Sequence, residues 1–141
     1  MLHSELQLKL NELWDGTIEK FNVDILRNTL SFKLKVIANE VSKEFNLIFK
    51  GVSSFYFIED IGEKRYNLNK YDNNDYMELT SIDYYEKGIG KITIDSLSED
   101  WATQWKSSAN FTIELWNSIL FLEAKCVVIN DESFDISYPC I

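Results

Sequence analysis

His3 is the single histidine of the chain, and it stands at a terminus. Imidazole is the usual general base of nucleophilic triads and a frequent zinc ligand. One terminal histidine therefore speaks against Ser–His–Asp and Cys–His machinery and against histidine-built metal sites. Either cysteine, Cys126 or Cys140, would need an activating base to act as a nucleophile, and no histidine lies near them in the sequence. Asp72-Asn73-Asn74-Asp75 supplies oxygens at the first and third positions of a calcium loop. Tyr76 then stands at the fifth position and Met77 where glycine is needed, so the run reads as a turn. Gly88-Ile89-Gly90 lacks the third glycine and the helix start of a dinucleotide-binding loop. Glu59-Asp60 and Glu99-Asp100 are the adjacent carboxylates that could do paired acid–base work, as in glycoside hydrolysis. With 23 acidic residues in the chain, such pairs arise from composition alone. The expectation is no catalytic residue, no cofactor and no metal.

What remains is binding. The stretch Glu59 to Asp75 is the longest without clear periodicity, and long ordered loops often carry function. Its candidates are Glu59, Asp60, Glu63, Tyr66, Tyr71, Asp72 and Asp75. The plainer reading is a surface excursion with its tyrosines folded back. A second candidate group is Glu99, Asp100 and Trp101, with Trp105 four residues on. Two tryptophans beside two acids suit an interaction hot spot, although a Leu97, Trp101, Trp105 stripe is more often core packing.

Charge narrows the partner. The chain holds 14 basic against 23 acidic residues, a net charge of −9. The basic residues are scattered: Lys33 and Lys35 on one strand face, Lys64-Arg65 as a lone pair. A phosphate-binding surface needs clustered cations, so nucleic acid is not expected. An acidic surface would steer a basic protein, or would serve solubility alone. The N-terminus lacks a basic region followed by an apolar run, and the longest apolar run, Ile119 to Leu122, is too short to span a bilayer. The expected compartment is the cytoplasm. The sequence favours no Cys126–Cys140 disulfide, and Cys126 reads as a small core residue.

The elements follow from periodicity. At 141 residues the chain suits a single domain, residues 1–141. Ser4 to Trp14 reads as a helix with capping-box spacing at Ser4 and Gln7 and a stripe of Leu6, Leu10, Leu13 and Trp14; Gly16 is its expected left-handed stop. Phe21, Val23 and Ile25, then Leu30, Phe32, Leu34 and Val36, alternate as a hairpin turning at Arg27-Asn28-Thr29. In that hairpin Asn22 and Asp24 would oppose Lys33 and Lys35. Phe45, Leu47 and Phe49 lead through Lys50-Gly51 into a second hairpin with Phe55 and Phe57 inward. Tyr76–Tyr85 and Gly88–Ile94 read as two further strands, and Ser96 begins a short second helix. Phe111, Ile113 and Leu115 turn at Asn117-Ser118 into Leu120, Leu122, Ala124, Cys126 and Val128, all expected inward. Phe134 to Tyr138 would be an edge strand. The expected class is α+β, mainly antiparallel β: a curved meander or partly open barrel under two helices.

LWDGTIEKFNVDI, LSFKLKV, FNLIFKGVSSFYF and FTIELWNSILFLEAK resemble the YxiG-like family and neighbouring immunity-type families found beside polymorphic toxins. The likeness covers most of the chain in strand pattern, through Trp14-Asp15-Gly16 and Val52-Ser53-Ser54-Phe55-Tyr56-Phe57. It carries over no catalytic residues. It implies a stoichiometric, non-enzymatic inhibitor of a toxin domain, with an acidic surface suited to a basic nuclease. The rival expectations are a ligand carrier or small enzyme with a pocket between sheet and helix, and a structural subunit that buries Trp101 and Trp105 against a copy of itself. The oligomeric state is left open.

Overall fold

A computed structural model describes residues 2–59, 77–116 and 118–139. Among these, α1 (Leu2–Asn11) precedes eleven strands. They are β1 (Gly16–Asp24), β2 (Thr29–Ala38), β3 (Val41–Lys50), β4 (Ser54–Glu59), β5 (Met77–Tyr84), β6 (Gly90–Thr93), β7 (Lys106–Ala109), β8 (Phe111–Leu115), β9 (Ser118–Glu123), β10 (Cys126–Ile129) and β11 (Glu132–Asp135). Nine form one antiparallel sheet in the order β11-β10-β3-β2-β1-β5-β8-β9-β4, and β6 and β7 make a separate two-stranded ribbon. The mainly antiparallel α+β expectation holds at that level, with one α-helix. Among the described residues the order is not a simple meander, and it ends at β11 and β4 without closing into a barrel.

Alternation sets the faces. Leu30, Phe32 and Leu34 on β2 and Phe45, Leu47 and Phe49 on β3 are all buried, as the period-two pattern requires. The first hairpin turns through a 3₁₀ helix at Ile25–Arg27 and a left-handed Asn28, φ 52°. This turn starts two residues earlier than expected and moves the cross-strand partners. Asn22 faces Ser31, Asp24 faces Thr29 and Lys33 faces Lys20. Asp24 instead pairs with Arg27 at 2.9 Å.

The expected second hairpin does not form. At Gly51, φ 61°, the chain bends, and β4 leaves β3 for the far edge of the sheet. β9 bends into β10 at the same corner, and the two bent strands pair along their length. Lys125 N–H donates to the Lys50 carbonyl at 3.1 Å, and Ser53 N–H to the Glu123 carbonyl at 3.0 Å. A Cβ on Gly51 would lie 2.9 Å from Lys125 Cβ, so the close crossing needs glycine. The bend also shifts the alternation by one residue. Leu120, Leu122 and Ala124 are buried, but so next are Val127 and Ile129, and Cys126 moves to the half-exposed side as a free thiol. The sheet thus coils over itself, and Phe49 of β3 meets Phe111 of β8 edge-on at 5.0 Å, although β2, β1 and β5 lie between them in strand order.

Two carboxamides, one buried and one half-buried, complete the pairing where a strand partner is missing. Asn110, wholly inaccessible, donates from Nδ2 to the Ala124 carbonyl at 2.9 Å and accepts from the Ala124 N–H at 3.0 Å. The second is Gln7. β1 pairs with β5 only from Gly16 to Ile18, so Ile82–Tyr84 has no strand on that flank. α1 fills the gap. Gln7 donates to the Ile82 carbonyl at 3.2 Å and accepts from Tyr84 N–H at 2.9 Å. The Trp14 indole donates to the same Ile82 carbonyl at 3.1 Å. Leu6, Leu10 and Leu13 are completely buried, each contributing on the order of 1.5–3 kcal/mol. Gln7 is therefore a strand surrogate rather than half of a capping box, and the helix begins before Ser4. Asp15, not Gly16, takes the left-handed conformation, φ 64°. Gly16 is required for space, since a Cβ there would sit 2.9 Å from the Leu13 carbonyl oxygen.

Two predictions follow from this pairing. Asn110→Ala strands the N–H and C=O of Ala124 in an apolar interior, and a loss of roughly 2–4 kcal/mol is expected by denaturant titration. Asp83 beside Gln7 has its carboxyl pushed up by burial and by the nearby Glu114 charge, against the lowering hydrogen bond from Gln7. A raised carboxyl favours the protonated fold, so its contribution is present in acid and is lost as pH rises through the folded-state value. Asp83→Asn is expected to raise the thermal midpoint at neutral pH, and the gain should vanish well below the ordinary carboxylate range.

Candidate functional site

The β6–β7 ribbon stands on the sheet through one buried acid. Glu123 accepts from Ser53 Oγ at 2.5 Å and from the Ser108 N–H of β7 at 3.1 Å. Between β6 and β7 the chain makes an excursion built by local hydrogen bonds. Ser96 Oγ accepts from Glu99 N–H at 3.0 Å, which realises half of the expected capping box. The Glu99 carboxylate does not return to Ser96; it accepts from the Trp101 indole N–H at 2.8 Å. The expected second α-helix is only a 3₁₀ helix, Asp100–Gln104, anchored by buried Ala102. With that tighter winding, Leu97, Trp101 and Trp105 do not form a packed stripe. Trp101 is 62% exposed, Trp105 66%, and Leu97 fully exposed. The core-packing reading of these residues is overturned.

Of the acidic and aromatic candidates, Glu99, Asp100 and Trp101 share this turn, and Trp105 closes it through a hydrogen bond to the Ala102 carbonyl. Glu59 is elsewhere, half-buried at the end of β4 opposite Ser118. Among the described residues no hydrogen bond or ion pair joins it to the turn. Asp60, Glu63, Tyr66, Tyr71, Asp72 and Asp75 lie outside the described residues. Among the described residues no three His, Cys, Asp or Glu side chains gather closely enough to hold a metal ion. No helix among them is long and apolar enough to cross a membrane.

A second surface was not foreseen. A cleft of about 290 Å³ lies where the first hairpin turn meets the β3–β4 bend, lined by Val23, Ile25, Val52 and Phe55 among others. Val52 N–H donates to the Asn28 carbonyl at 2.9 Å and fixes the two walls together. At its rim the Arg27 side chain and backbone hydrogen-bond Asp24 and hold its carboxyl below the usual range. Phe55 and Phe57, expected in the core, are 41% and 53% exposed, because β4 occupies an edge of the sheet and not its middle. The signal available in the sequence was the two-sided apolar character of SFYFIE, which is not that of a half-wet strand. The space between α1 and the sheet, where a ligand pocket was the rival expectation, is occupied by Leu6, Leu10 and Leu13.

Ser54 Oγ, in the wall of this cleft, is buried without a hydrogen-bond partner among the described residues. An orphaned hydroxyl costs on the order of 1–3 kcal/mol. Ser54→Ala is therefore expected to leave the thermal midpoint of the protein unchanged or raised, whereas a fall of several degrees would mean that the hydroxyl is satisfied in solution.

Among the described residues neither the turn nor the cleft holds an assembled acid–base or nucleophilic group. The comparisons with known proteins give a family. The chain is 30% identical over 132 residues to a Bacillus subtilis (strain 168) protein described as "Uncharacterized protein YxiG", covering 89% of this chain and 90% of that one. A family model described as YxiG-like protein matches residues 6–134, from the first buried leucine of α1 to the core phenylalanine of β11. By both measures the chain belongs to the YxiG-like family.

Proposed function

We propose that this protein is a non-enzymatic protein-binding domain of immunity type, which neutralises a basic toxin domain in the cytoplasm of the producing cell. The observation that carries this reading is the Ser96–Trp105 turn. There Trp101 and Trp105 stand exposed while Glu99 holds the Trp101 indole in place. A large aromatic surface that is already ordered loses little freedom on binding, which is what makes tryptophan a frequent anchor of interfaces. Asp100 next to it, and a net charge of −9 over the chain, favour a basic partner. Glu59, Asp60, Glu63, Tyr66, Tyr71, Asp72 and Asp75 are proposed as further contacts on the strength of their residue types alone.

The test is capture, by the full-length chain, of the toxin domain encoded beside it. Trp101→Ala is expected to weaken that complex by at least about 30-fold, the loss typical of a hot-spot residue. Rising salt should slow association, because the attraction is screened. The reading fails if no basic partner binds, or if Trp101→Ala and Glu99→Ala leave the affinity unchanged.

A further inference from the structure

The two edges of the nine-stranded sheet are built differently. β11 is four residues long, carries exposed Glu132 and Asp135, and is followed by Pro139. Short length, charge and proline are the usual devices that keep an edge from pairing with another chain. β4 is longer, has no proline, and carries a charge only at its last residue, Glu59. It reads Ser-Phe-Tyr-Phe-Ile-Glu, and from Gly51 to Ile58 the chain bears no charge. Among the described residues β4 is hydrogen-bonded only to β9, and none of them pairs with its other flank. Phe55 and Phe57 remain substantially exposed, on the same face as buried Leu122 and Leu120 opposite them.

We infer that β4 is the interface at which two copies of this chain pair, antiparallel, into one continuous sheet. The strand is self-complementary about Tyr56. A twofold axis midway between the two Tyr56 residues, perpendicular to the sheet, keeps core faces together and sets Phe55 opposite Phe57 of the second copy and Phe57 opposite its Phe55. Aromatic cross-strand pairs of this kind stabilise sheets. The two Tyr56 rings meet on the other face, beside the existing stack of Tyr56 on Phe121 at 4.9 Å. Ser54 falls opposite Ile58, and Glu59 opposite Ser53, so no like charges face each other. Charge also selects this occupant. Two chains of net charge −9 repel over most of their surfaces, and a strand without charge is where they can approach. A twofold interface of this type is closed and gives a dimer, not a filament.

The experiment uses the full chain with Cys126→Ser and Cys140→Ser, so that an introduced thiol stands alone. Opposed Cα atoms in antiparallel strands are about 4.5–5.5 Å apart. That separation falls within the disulfide range of about 4.4–6.8 Å. Tyr56→Cys is expected to give a covalent dimer on mild oxidation, at least about tenfold more than Asp135→Cys on the charged edge. Sedimentation of the uncrosslinked chain should show a dimer, and Phe57→Lys, a change at an exposed position, should weaken it at least tenfold while the thermal transition persists. A chain that stays monomeric at high concentration overturns the inference, as does equal crosslinking at both edges or a dimer indifferent to Phe57→Lys. A monomer in which Phe57→Lys abolishes toxin binding would also overturn it, by assigning the edge to a foreign strand. The toxin-binding reading itself is tested at Trp101 and can fail or stand independently.

Discussion

Asn110 and the backbone of Ala124 exchange two hydrogen bonds in the dry interior, and the bend they hold sets the course of every strand around it. A backbone N–H or C=O buried without a partner costs as much as a lost hydrogen bond, so a sheet cannot coil unless each interrupted pair is replaced. This chain makes the replacement with carboxamides, which offer a donor and an acceptor like the peptide group itself. Asn110 serves the corner between β9 and β10, and Gln7 serves the unpaired flank of β5. Asn130 serves the outer ladder, accepting from Asn46 N–H at 2.9 Å through its side chain and donating through its own N–H to the Asn46 carbonyl at 2.8 Å.

The exposed aromatic surfaces are consequences of those bends. Once β3 turns at Gly51, β4 is carried to the far edge, where Phe55 and Phe57 have Leu122 and Leu120 beside them and no further strand among the described residues. Once β9 turns at Lys125, Glu123 is left inward, and it has no ion-pair partner among the described residues. Its two hydrogen bonds, to Ser53 and Ser108, fasten the β6–β7 ribbon over β9. The ribbon in turn presents Trp101 and Trp105 to solvent. Apolar residues that cluster into a contiguous exposed patch mark an interaction surface.

Membership of the YxiG-like family constrains the architecture and leaves the activity to the surfaces. The family match takes in part or all of every element from α1 to β11, so the carboxamide-braced coil lies within the shared region. The immunity reading rests on different residues, an ordered acidic and aromatic turn, and the pairing of β4 with a second copy rests on a third set. The two surfaces differ in charge: one carries Glu99 and Asp100, the other is neutral from Gly51 to Ile58.

Periodicity in the chain was enough to place the leucine stripe of α1 and the inward faces of β2, β3 and β8, because each depends on residues adjacent in sequence. The same alternation misplaced Cys126, Phe55 and Phe57. It tells which side chains share a face only while the strand runs unbroken, and Lys125 and Gly51 interrupt it. It is also silent on neighbours, so β4 was paired with β3, whereas the fold pairs it with β9. Gln7, with the spacing of a helix cap, became a surrogate strand because the partner it serves lies 75 residues away. The amino-acid order alone determined the elements and most of their buried faces, since those follow from local sterics and solvent. Only the tertiary structure decided which edge was left bare and which tryptophans stayed wet, since both depend on where distant strands find their hydrogen bonds.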